Sequence, residues 1–72
     1  MLKDQLIANQ IESHIYENNL PKRTKLPTVE QFASDYSVSK STIVKALESL
    51  VLKGIVYQVQ GSGIFVRKKN RN

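Results

Sequence analysis

Isoleucines stand at positions 7, 11 and 15, four residues apart, and Leu2, Leu6 and Ala8 widen them into one apolar stripe. That spacing predicts a helix from about Leu2 to Asn18, with the stripe facing a core. His14 and Tyr16 sit beside the stripe, and His14 reads as an ordinary helix residue because no second metal ligand is spaced near it. Residues 18–27 contain two prolines and no apolar period, so they predict a loop. A second, short helix is expected to start at Thr28. There the hydroxyl can cap the first turn, and Gln31, three residues on, completes a capping-box pattern. Val29, Phe32, Ala33 and Tyr36 form its apolar face, and it is expected to end near Tyr36. Ser37, Val38 and Ser39 form a break, with Ser39 placed to cap a third helix over Lys40–Lys53. In that helix Ile43, Ala46, Leu47, Leu50 and Val51 follow the i, i+3, i+4, i+7, i+8 pattern, and Gly54 is suited to the residue that closes it.

The period then changes from helical to alternating. Residues 55–60 are β-branched, aromatic and amide-bearing, with Ile55, Tyr57 and Val59 on one side and Val56, Gln58 and Gln60 on the other. Gly61, Ser62 and Gly63 interrupt this run, and residues 64–67 resume it, which predicts a β-hairpin. Tyr57 and Phe65 are placed in its core face. The fold class expected is mainly α with a small β-hairpin: three helices followed by a two-stranded antiparallel wing.

At 72 residues the chain makes one small domain. It has no cysteine and one histidine, so neither disulfides nor a zinc site are expected, and no cofactor. No apolar run reaches the roughly 20 residues that span a bilayer. The polar opening residues do not resemble a signal peptide, so a cytoplasmic protein without membrane contact is expected. Charge is unevenly placed. The first 36 residues carry four cations against five acids, a net −1, and the last 36 carry seven against one, a net +6. A basic second half points to a polyanionic partner. Catalysis is not expected: the acids are scattered, no nucleophile has a base at suitable spacing, and no glycine-rich phosphate cradle follows a strand. No aromatic platform of the kind that stacks RNA bases is expected on the strands.

Two helices joined by a tight break, the second led by small polar and basic residues, form the helix-turn-helix pattern. In such a pair the second helix offers its N-terminal end to base edges in the major groove, and the first braces it. The expected DNA-facing set is Thr28, Ser39, Lys40, Ser41, Thr42 and Lys45, with hydroxyls short enough for phosphates or bases to approach. The hairpin tip adds Gln60, Gly61, Ser62 and Gly63. Its glycines allow the backbone close to a groove or phosphate chain, so the wing (60–64) is expected at the adjacent backbone or minor groove.

These residues resemble the GntR family of bacterial transcription regulators. That family carries motifs approximating Leu-Pro-Ser-Glu-Arg-Glu-Leu-Ala, Gly-Val-Ser-Arg-x-Thr-Val-Arg-x-Ala-Leu and Gln-Gly-x-Gly-Thr-Phe-Val. This chain has Leu26 to Ala33 (LPTVEQFA), Ser37 to Leu47 (SVSKSTIVKAL) and Gln60 to Val66 (QGSGIFV) in the same order. The resemblance implies a winged helix that reads double-stranded operator DNA as a homodimer in the full-length protein. It also implies that residues 1–67 are the DNA-binding domain. Residues 68–72 would then begin a linker to a C-terminal domain that takes a small-molecule effector. Two family arginines that commonly contact DNA are replaced, by Glu30 and Val44, so those contacts are not carried over. Lys40 keeps an arginine's charge but loses its bidentate fork, and Lys45 is a substitute phosphate contact. Val44 is suited to a thymine methyl. Glu30 is expected along the rim, in preference to reading a cytosine amino group. Ser37 replaces a turn glycine at a cost of roughly 1 kcal/mol if left-handed. The alternative is a winged helix used as a protein-interaction module.

Overall fold

A computed structural model describes residues 3–67. Leu2 and the basic tail expected at 68–72 lie outside the described residues. The elements run α1 (Lys3–Glu17), α2 (Val29–Tyr36), α3 (Lys40–Leu52), β1 (Val56–Val59) and β2 (Gly63–Val66). This is the winged-helix order of three helices and a two-stranded antiparallel sheet.

The four-residue spacing on α1 buries Ile7, Ala8, Ile11 and Ile15. Leu6, expected on the same stripe, is instead 48% exposed. One residue before Ile7, it is turned about 100° around the helix, away from the core side. On α3 the buried set is Ile43, Ala46, Leu47 and Leu50, and Val51 lies outside it, partly exposed, for the same reason. Phe32 is the buried residue of α2, and its ring stacks on Tyr36 at 6.1 Å. Burial raises the Tyr36 phenol above its ordinary pKa, and the neighbouring Asp35 carboxylate adds to the effect. On the surface, Lys53 Nζ reaches Glu12 Oε1 at 3.3 Å, tying the end of α3 to α1.

All three helices close in the same way. A left-handed residue turns the chain, and its own amide and the next one bond back to the last helical carbonyls. After α1 that residue is Asn19 (φ 51), with Leu20 N–H on Ile15 O and Asn19 N–H on Tyr16 O. After α2 it is Ser37 (φ 56), with Val38 N–H on Ala33 O and Ser37 N–H on Ser34 O. After α3 it is Gly54 (φ 78), with Ile55 N–H on Leu50 O and Gly54 N–H on Val51 O. The left-handed conformation on which the cost at Ser37 depended is therefore present, in a residue with a Cβ.

The hairpin pairs Val56 with Val66, Tyr57 with Phe65, Gln58 with Ile64 and Val59 with Gly63. Val56, Ile64 and Val66 face the core, and Ile55, just ahead of β1, is buried as well. Two expectations need correction here. Tyr57 and Phe65 are on the opposite, outer face, half-buried and stacked on each other at 5.6 Å, and Val59 beyond them is exposed. The alternation of strand side chains dictates this once Val56 is turned inward. Second, residues 18–27 are not wholly loop. Lys25 forms an antiparallel bridge with Phe65, Leu26 N–H donates to Ile64 O, and Val66 N–H donates to Thr24 O. β2 is thus bonded on both edges. The stretch is too short, and too closely bracketed by Pro21 and Pro27, to show a strand period.

Candidate nucleic-acid interface

The leading end of α3 is built by its cap. Ser39 is extended (φ −75, ψ 158), and its Oγ accepts from Thr42 N–H at 3.3 Å. The same oxygen lies 3.1 Å from Ser41 Oγ and 3.0 Å from Thr42 Oγ1, so the three hydroxyls form one cluster at the positive end of the helix dipole. Lys40, Ser41, Val44 and Lys45 are exposed around this end, with Thr42 half-buried beneath and exposed Glu48 farther along the helix. No acidic residue lies in the first turn of α3. Exposed amides, hydroxyls and ammonium groups can together hold a phosphate and reach a base edge.

Thr28 is extended and caps α2, its Oγ1 accepting from Gln31 N–H at 3.1 Å. The other half of the expected capping box is absent: Gln31 Nε2 donates to Asp35 Oδ1 instead, at 3.0 Å. Glu30, in the first turn of α2, places Oε2 3.7 Å from Lys40 Nζ. The fold therefore joins the two helices through charged side chains at the residues where family arginines would stand.

The wing tip is a separate patch at the far end of the hairpin. Gln60, Gly61 and Ser62 are exposed, and Ser62 N–H closes the turn on Val59 O at 2.9 Å. Gly61 has φ +84 and open space where a Cβ would stand, so its need for glycine is conformational. Gly63 has φ +129, and a Cβ there would lie 3.2 Å from Lys25 Cε. Lys25 was not singled out from sequence, since a lysine between two prolines reads as a solvated loop charge. Its bridge to Phe65 lays it along the wing. Lys22, Arg23 and Arg67 line an open cavity of about 400 Å³ beside Tyr57 on the same outer face.

The model of the bacterial regulatory proteins of the gntR family matches residues 3–66. The chain belongs to the GntR family. The HTH-type transcriptional regulator YydK of Bacillus subtilis (strain 168), itself uncharacterized, is 54% identical over 71 residues, covering 99% of this chain and 30% of that protein. The crystal structure of YydK superimposes with a TM-score of 0.92 at 53% identity, over all of this chain and 32% of that one. The AraR DNA-binding domain, solved in complex with an operator, has a TM-score of 0.86 at 35% identity, covering 92% of this chain and 80% of that one. The chain thus spans 30% or less of the length of the first curated relatives it matches. Among the described residues no helix of this GntR domain is long and apolar enough to cross a membrane.

Proposed function

We propose that this GntR winged helix is the reader head of a bacterial transcription regulator that binds double-stranded operator DNA sequence-specifically in the cytoplasm. Residues 1–67 are the DNA-binding unit, α3 enters the major groove, and the wing (60–64) lies at the adjacent backbone or minor groove. The observation that carries this reading is the leading end of α3, where Ser39, Ser41 and Thr42 cluster between exposed Lys40 and Lys45. Lys40 is assigned to a guanine and Lys45 to a phosphate. Val44 stands 42% exposed on the same turn, as a residue packing on a thymine methyl must. At the tip, Gln60 and Ser62 supply hydrogen bonds, and Gly61 and Gly63 allow the backbone to approach closely. Thr28 offers the start of α2 to a phosphate. In the full-length protein two such heads form a homodimer on a near-palindromic operator, and a small-molecule effector acts on a further domain reached through residues 68–72.

A second reading, docking to another protein, is favoured by Leu52, which is 88% exposed beside exposed Val51. Selection of duplexes from a random pool, followed by titration across salt concentrations, separates the two. DNA reading is supported by an enriched sequence, a log–log salt slope of several units, and a shallower slope with relaxed preference in Lys40→Ala. Absence of enrichment together with a flat salt response overturns it.

A further inference from the structure

We infer that Glu30 is a positioning residue for Lys40, holding its ammonium away from phosphates so that Lys40 binds well only where a guanine competes for it. This rests on the DNA reading above and adds to it a source of sequence discrimination.

The pair spans the break between the two helices of the motif, with Lys40 Nζ and Glu30 Oε2 3.7 Å apart. Each side chain is about two-thirds exposed, at 66% and 68%, so the contact contributes little to folding and is free to be exchanged on binding. Neither residue is needed as a cap, since Thr28 caps α2 and Ser39 caps α3; Glu30, in the first turn of α2, also suits the positive end of that helix dipole. Because the first turn of α3 carries no acid, Glu30 is the carboxylate that meets its leading cation. On an arbitrary duplex, Lys40 can gain only a phosphate, and taking it means leaving one anion for another while the abandoned carboxylate approaches the DNA charge. That exchange is unfavourable. At a guanine, O6 and N7 accept from the ammonium without a like charge pressed on Glu30. The carboxylate therefore penalises wrong sites more than right ones, which is how discrimination by repulsion works.

The test compares the 72-residue chain with E30Q, K40A and the double variant on two duplexes: one recovered by selection with the unaltered chain, and one of shuffled sequence. E30Q is expected to bind the shuffled duplex about tenfold more tightly at low salt, with a log–log salt slope steeper by about 0.9, one phosphate contact's worth. Affinity for the selected duplex should change less, so the specificity ratio falls. In the K40A background the same glutamate change should leave the slope unaltered. Equal slopes and ratios for E30Q and the unaltered chain overturn the inference. An equal gain with and without Lys40 also overturns it, because Glu30 would then act as a bulk negative charge. Failure of the unaltered chain to select any duplex overturns the DNA reading itself, and this inference with it.

Discussion

Lys25 lays its Cε 3.2 Å from the point where a Cβ on Gly63 would stand. The bridge of Lys25 to Phe65 couples the segment between α1 and α2 to the wing. Gly63→Ala introduces a side chain at φ +129, a backbone region that L-residues rarely adopt, and also displaces the lysine. A loss of about 1–2 kcal/mol in urea unfolding is expected. Gly61→Ala, with open space around it, should lose only about 1 kcal/mol from backbone strain. Lys25→Ala in the Gly63→Ala background should restore none of the strain, because the strain belongs to the backbone. If both glycine variants unfold at the unaltered chain's midpoint, the wing does not hold these dihedrals in solution.

Ser37 closes α2 with φ 56. A glycine there removes the Cβ penalty, so Ser37→Gly should raise stability by about 1 kcal/mol, less whatever the unfolded chain gains in freedom. The reading is the shift in urea midpoint at unchanged slope. A midpoint that falls instead would show that the serine hydroxyl is doing more at the turn than the left-handed backbone costs.

Ser39→Ala removes the oxygen that accepts from Thr42 N–H and the centre of the hydroxyl cluster. A cost of about 1 kcal/mol in stability is expected from the lost cap. If the proposed reading holds, duplex affinity should fall further than that loss explains, since the helix end assigned to DNA is also loosened. Ser39→Asp should keep the cap while repelling phosphate, so stability is expected to hold while DNA affinity falls. Parallel losses in both would make the cap purely structural.

Tyr36 titrates above the ordinary phenol range, chiefly because burial disfavours the phenolate and secondly because Asp35 lies beside it. The folded-state pKa is raised above the unfolded value, so the associated stability is full below the unfolded pKa. It is lost as pH rises through the folded one. Alkaline unfolding should therefore ease in Tyr36→Phe, and Asp35→Asn should lower the Tyr36 pKa part of the way. Ultraviolet titration of the phenolate absorbance reads both effects. A Tyr36 phenol that titrates at the free-tyrosine value would contradict this picture.

Much of the architecture was legible because the helix caps and apolar periods agree with one another. Thr28 and Ser39 cap α2 and α3 as their spacing suggests, and Gly54 closes α3 in the left-handed turn expected of it. What was hidden has a common cause: short segments lack enough repeats to reveal which face is inward. Tyr57 and Phe65 look like core by residue type, yet the choice between faces is made by Val56 packing against the helices. Thr24 to Leu26 pair along β2 by backbone bonds, which no side-chain pattern announces. Asn19 adopts its left-handed turn inside what reads as loop. At the candidate interface, Lys40 and Glu30 were each recognisable as departures from the family motif, but their pairing needed the helix-to-helix geometry.

The bonding of β2 on both edges has a mechanical consequence. A free hairpin bends wherever it is pushed, whereas here the base of the wing is stapled to residues 23–26 and only the 60–62 tip is left to yield. Leu26, held on Ile64, is two residues from Thr28, the cap of α2. A load on the tip is therefore carried along β2 into the segment that leads to α2. The wing thus has a fixed base and a yielding tip, so a contact made at residues 60–62 is not absorbed by bending of the hairpin below it.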